Sequence, residues 1–226
     1  YPILIWILTK ISLAHVIYLI AFTQSIFYAY ASYYFVKQLR GTRLQPYMFL
    51  IGLALAFNPT LSLSSLAVGY ESPIAACMLM VVGLIMKSRQ SGHDRQFILR
   101  VVAVGFFSAL ASFMQPRWIL TSVVIALLWA LITQGRKAQA LILVGVVGIM
   151  ALAPAIMIQR NMKSIDKAVI STNLGVTMRL GAGDGTQGGY AHTGPDVPCE
   201  PTPPATATTD NDVVKCVIKW YASNPG

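Results

Sequence analysis

Glu71, Arg117 and Arg160 are the side chains of this sequence best placed to do chemistry. Glu71 and Asp94 are the only carboxylates in the first 158 residues. An ionisable group near membrane depth costs a few kcal/mol unless it has a partner, so it marks a functional position by default. Glu71 follows Gly69-Tyr70 and precedes Ser72-Pro73. There it can bind a divalent metal, an acceptor hydroxyl or a basic partner. The competing reading is a headgroup-level carboxylate capping the helix that Pro73 helps to start. Arg117 stands in Gln115-Pro116-Arg117-Trp118, in a connection otherwise without cations. A guanidinium there suits bidentate capture of a lipid phosphate, and equally an anchor on ordinary headgroups. Arg160, beside Asn161, carries the same two readings. Tyr70, Glu71, Arg117, Arg160 and Asn161 form the candidate binding set.

Other reactive types point elsewhere. His15 lies in an apolar run, where a hydrogen-bonded interhelical role outweighs that of a ligand. His192 has no second ligand at a zinc spacing, and His93 falls in a basic loop. Gly181-x-Gly183-x-Gly185 lacks the lysine of a phosphate-binding loop and opens no expected helix. No nucleophile-elbow pattern is present.

The elements that must hold these groups are set by composition. Of 226 residues, 55% are hydrophobic and 11% charged, where a soluble surface needs about 25% charged residues. Six apolar runs, at about 11–36, 46–63, 67–86, 97–114, 118–134 and 140–158, approach the ~20 residues that cross a hydrocarbon core. Continuous rather than alternating apolarity makes them helices. Residues 1–9 are too short to cross and should lie along the outer face, with Pro2 opening a helix. Pro154 should kink the last span.

The net charge of +9 is spread in alternate loops. Lys37, Arg40 and Arg43 share one, Lys87, Arg89, Arg95 and Arg100 flank another, and Arg136 and Lys137 sit in a third. This is positive-inside patterning. No basic stripe with interleaved aromatics exists, so nucleic acid is not an expected partner. Alternation then places 58–70, 115–117 and 159–226 outside the cytoplasm. The expected fold is an α-helical polytopic membrane protein of about six spans (residues 1–158), with a small α+β extracytoplasmic region (159–226). The absence of an initial Met points to a fragment or processed form.

Within 159–226, Lys163 to Thr172 alternates around Ala168-Val169-Ile170, the pattern of a short strand. Its glycines permit sharp turns and close approach. Residues 193–209 read as a Pro/Thr/Ala-rich surface loop. Asp210 or Asp212 should cap a helix from about Val213 to Ser223. Cys77 reads as a small buried hydrophobe. Cys199 and Cys216, in an oxidising compartment, favour a disulfide over two free thiols, worth on the order of 3 kcal/mol.

Taken in order, these pieces resemble one family. Tyr1-Pro2-Ile3-Leu4, the stretch from Asn58-Pro59 to Glu71, Met114-Gln115-Pro116, and Ala153-Pro154 followed by Arg160-Asn161 each match an element of it. So do Ser171-Thr172-Asn173-x-Gly175, Gly181 to Tyr190, and the run from Cys216 to Asn224-Pro225-Gly226. The family is the GT-C superfamily of multi-span glycosyltransferases, close to the protein mannosyltransferase and aminoarabinose transferase group. Gln115 replaces an Arg usual in that pattern, and the Trp between the Ala-Pro and Arg-Asn elements is missing. The resemblance implies an inverting transferase of the bacterial plasma membrane. It would move a sugar from a polyprenyl-phosphate donor to a lipid, glycan or protein acceptor outside the cytoplasm. It also implies that the general base lies in a first outer loop before Tyr1, so the chain would be a fragment without it. Glu71 would serve a metal or the acceptor, and Arg117 and Arg160 the donor phosphate. A transporter or channel subunit, and a non-catalytic membrane partner, are the alternatives.

Overall fold

A computed structural model describes residues 2–65, 69–91, 96–170, 174–182, 199 and 207–224. All regular structure among these residues is helical. The helices are α1 (Pro2–Ile11), α2 (Val16–Gln38), α3 (Met48–Ala56), α4 (Pro59–Ser64), α5 (Glu71–Ser91), α6 (Gln96–Met114), α7 (Trp118–Ile132), α8 (Arg136–Met150), α9 (Leu152–Ile165), α10 (Leu174–Gly181) and α11 (Ala207–Ser223). The chain divides into two compact units, Tyr1–Pro154 and Ala155–Gly226.

In the first unit α5 packs between α2 and α6, and α8 between α6 and α7. The seams are lined by small residues. Ala31, Ala76, Cys77, Ala111 and Ser112 are fully enclosed, and three glycines let a side chain of the neighbouring helix pack directly on their backbone. A β-carbon on Gly83 would lie 2.9 Å from the Tyr34 ring, one on Gly105 2.9 Å from Ile149 Cβ, and one on Gly145 2.6 Å from Val101 Cγ1. Helices in lipid gain little from apolar burial, because lipid tails are as apolar as leucine; close approach at small residues is what joins them. The larger side chains fill one cluster, in which Val81 of α5, Val101 and Val104 of α6, Trp129 of α7 and Ile142 and Val146 of α8 are buried together. Phe97 meets Trp129 edge-on at 6.0 Å between ring centroids. The outward faces stay apolar: Leu120, Leu131 and Val144 are each more than 70% exposed. So continuous an apolar exterior suits lipid or further helices and not water.

Among the described residues three helices are long and apolar enough to cross a membrane: Glu71–Gln90, Gln96–Met114 and Arg136–Ile165, the last made of α8 and α9. Six spans are therefore not seen. The 46–63 run is cut in two, because α3 closes at Phe57 and Asn58 accepts the Leu61 N–H at 3.0 Å, capping α4, which Pro59 opens. The 118–134 run yields 15 helical residues. The first run forms a 23-residue helix, but its five tyrosines, Gln24 and Lys37 keep it outside that apolar set. Pro154 acts where expected. It has no N–H, and its ring would clash with the carbonyl four residues back, at Met150. There α8 ends, and α9 restarts at Leu152.

The second unit corrects a further expectation. Residues 167–170 form no strand; α9 runs to Ile165, and Asp166 turns the chain with φ of +53°. The carbonyls of Val169 and Ile170 instead accept Asn161 Nδ2, at 2.6 and 3.4 Å. A strand also needs a neighbour to pair with, and among the described residues there is none. So the α+β description gives way to an all-helical one there. Beyond them α10 packs on α11, with Ala182, Val213 and Val217 buried beside Met178, Cys199 and Trp220. Cys199 and Cys216 are bonded, with Cα atoms 5.9 Å apart. The expected loop at 193–209 lies outside the described residues except for Cys199 and Ala207 to Thr209, and so do Gly183 to Tyr190 and Ser171 to Asn173.

Candidate functional site

The end of the first unit that carries Glu71 is assembled from four helices. α5 begins there, α6 ends there and α7 begins there. Ile74 and Cys77 of α5 pack with Ala111 and Met114 of α6, Trp118 of α7 and Phe27 of α2. Tyr70, Glu71 and Arg117 are thus brought to one end of the unit. The segment before Glu71 is tied to α2: Gln24 Nε2 donates to the Gly69 carbonyl at 3.2 Å, and the Ser25 and Ser65 hydroxyls lie 3.2 Å apart. Gln24 is only 2% exposed; a buried amide inside an apolar helix signals an interhelical bond.

Glu71 is exposed. Its Oε2 lies 2.5 Å from where a Gly69 β-carbon would stand, so a side chain at that position would displace the flexible carboxylate from this rotamer. Arg117 is exposed as well. The turn around it is held by neighbours. Trp118 Nε1 donates to Gln115 Oε1 at 3.2 Å, and the Trp118 N–H to the Gln115 carbonyl at 3.0 Å. Gln115 thus organises the turn and leaves the guanidinium uncommitted. Among the described residues no ion pair joins Glu71 or Arg117 to an opposite charge. Nor do three His, Cys, Asp or Glu side chains gather closely enough to hold a metal there. His15 contacts Ser12 Oγ at 3.1 Å, on the exposed entry to α2.

Arg160 and Asn161 belong to the second unit. Arg160 donates through Nε and Nη2 to Asn161 Oδ1, at 3.2 and 2.9 Å. Asn161 is 5% exposed, and its amide holds the carbonyls of residues 169 and 170. Arg160 is the exposed member of the pair, with hydrogen-bonding edge to spare for an anion.

The opposite end of the first unit gathers the basic loops. Gln90 Nε2 donates to the carbonyls of Gln38 and Arg40, at 2.9 and 3.1 Å. One groove of about 460 Å³ is lined by Arg43 and Arg89, and another of about 330 Å³ by Arg89, Trp129 and Thr133. A third groove, about 480 Å³ and largely apolar, lies between α2 and α3 along Tyr28, Ser32, Val36, Gly52 and Ala56.

Two features escaped the sequence. Asp210 or Asp212 is expected from the sequence to cap a helix beginning at about Val213. The helix starts at Ala207 instead, and buried Asp210 accepts the N–H groups of Gly175 and Val176, at 2.9 and 3.3 Å. It thus caps α10 from a distance of 35 positions, which no local pattern encodes. The other is Gln24, an amide flanked by Thr and Ser in a span, which could have been flagged as an interhelical donor. No protein-family model, curated protein or solved structure matches the chain.

Proposed function

We propose that the chain is part of an inverting membrane glycosyltransferase, which moves a sugar from a polyprenyl-phosphate donor to an acceptor outside the cytoplasm. One observation carries most weight: Tyr70, Glu71 and Arg117 share one bundle end, both charges uncommitted, and the basic loops occupy the other. In a polytopic protein oriented by its positive loops, that end meets the non-cytoplasmic face. When the bond between the anomeric carbon and the phosphate oxygen breaks, negative charge grows on the leaving phosphate. A guanidinium already in place stabilises that charge more than it stabilises the intact donor. Arg117 takes this role, with Trp118 at the headgroup level. Glu71, with Tyr70 beside it, binds the acceptor hydroxyl or a divalent cation. In the second unit Arg160, held by Asn161, offers an anion contact of its own, and that unit is extracytoplasmic, in keeping with its disulfide. The protein resides in the bacterial plasma membrane in this reading.

The test uses the full-length protein in membranes supplied with a polyprenyl-phosphate sugar. Arg117→Ala should lower turnover by about a hundredfold or more, with expression and membrane insertion unchanged. Arg117→Lys should recover only part, since an ammonium lacks the two-pronged donor geometry. Unchanged turnover in Arg117→Ala removes that residue from the site, and a wild-type protein that turns over no such donor overturns the reading.

A further inference from the structure

We propose that the basic end of the first unit carries a built site for the phosphate of an anionic phospholipid headgroup, seated between Arg43 and Arg89. This goes beyond sugar transfer and does not depend on it.

The groove is formed where two segments far apart in sequence are fastened together. Gly41, Thr42 and Arg43 supply one wall, and Met86, Arg89 and Gln90 the other, enclosing about 460 Å³. Its geometry is fixed by named bonds. Gln90 Nε2 reaches across to the carbonyls of Gln38 and Arg40. Gln45 Oε1 accepts the Gly41 N–H at 2.7 Å, and Thr42 Oγ1 donates to the Leu39 carbonyl at 2.7 Å and accepts the Leu44 N–H at 3.2 Å. Gly41 turns the chain with φ of +74°, a conformation that side-chain-bearing residues rarely adopt. The two backbone segments that carry Arg43 and Arg89 are therefore fastened to each other before any ligand arrives, which lowers the entropic cost of binding.

Charge gives the sign of the occupant. Lys37, Arg40, Arg43, Lys87, Arg89, Arg136 and Lys137 are all exposed. The sequence offers one carboxylate on that side, Asp94, which lies outside the described residues. Neither Arg43 nor Arg89 has an ion-pair partner among the described residues.

The surroundings decide between a lipid and a free anion. Leu44 and Tyr47 are about half exposed immediately after Arg43. Met86 lines the same groove. Ile132 and Trp129 line the neighbouring groove, which Arg89 shares. Cationic donors bordered by the exposed Leu44, Tyr47 and Ile132 at the ends of candidate spans match an amphiphile, with phosphate on the arginines and acyl chains along the helices. An inorganic anion would make no use of the apolar border.

The experiment is lipid retention by the purified full chain in mixed detergent–lipid micelles, read by native mass spectrometry. Phosphatidylglycerol should be retained roughly tenfold over phosphatidylcholine, and Arg43→Ala/Arg89→Ala should abolish that preference. Lys163→Ala/Lys167→Ala, which removes the same charge from the second unit, should keep it. Equal preference in all three proteins, or equal loss in both double variants, overturns the site. A second measurement needs no variant: millimolar inorganic phosphate should leave wild-type retention of phosphatidylglycerol unchanged. Displacement by it would overturn the assignment to lipid.

Discussion

The two units of this chain are held together by different means. The first relies on distributed close approach. Enclosed alanines, serines and glycines line its seams, and one contiguous cluster of larger side chains joins four helices. The second relies on a few pins: a disulfide, an aspartate capping a neighbouring helix, and an asparagine gathering two carbonyls. The contrast follows from composition. Apolar helices present long matching surfaces, so stability can be shared among many weak contacts. The second unit is rich in polar residues and glycine and buries little; covalent and charge-assisted bonds take over where a small core does not suffice.

The contrast makes graded predictions. The largest effect belongs to the disulfide. Cys216→Ser should destabilise the α10–α11 pair by about 3 kcal/mol, seen as faster amide hydrogen exchange throughout both helices while α5 and α6 keep their protection. Loss of protection spreading evenly over both units would break the distinction. Next comes Asp210→Ala, which leaves the Gly175 and Val176 N–H groups of α10 without their acceptor. A cost of about 2 kcal/mol should again be confined to α10 and α11, and Asp210→Asn should restore part of it. The smallest effect sharpens the comparison within one helix. In α8, a β-carbon at Gly145 would press on Val101, whereas one at Gly148 meets nothing within 4 Å. Gly145→Ala should cost about 1 kcal/mol through overpacking, and Gly148→Ala should be neutral or stabilising. Thermal unfolding in detergent would separate them; identical midpoints would mean that close packing is not what holds this seam.

What the sequence disclosed, and what it hid, follows the same division. Apolar runs name the helices of the first unit, because burial in lipid is written as unbroken hydrophobicity. Cys77 behaves as read, enclosed between α5 and α6, and the Cys199–Cys216 bond is present. Among the described residues three of the expected spans are seen as helices long and apolar enough to cross, and one run that is long in residues is interrupted in backbone: Asn58-Pro59 provides both a cap and a helix start, so it divides the 46–63 run. The expected strand at Ala168-Val169-Ile170 fails for a complementary reason. Strand propensity describes a pleated surface awaiting neighbours, and here Asn161 satisfies the carbonyls instead. Among the site residues, the placement of Tyr70, Glu71 and Arg117 at one end follows from alternating helices and was legible. The Gln24–Gly69 and Gln90–Arg40 bonds that hold the two ends in shape join residues 45 and 50 positions apart. No local pattern announces them.

The bond between Cys199 and Cys216 has a consequence for how the molecule breaks. It closes the intervening chain into a covalent ring. Severing any single peptide link inside that ring opens the loop without releasing a piece, and the two products part only when the sulfurs are reduced. Damage between these positions would therefore be silent on an ordinary gel and visible after a thiol is added.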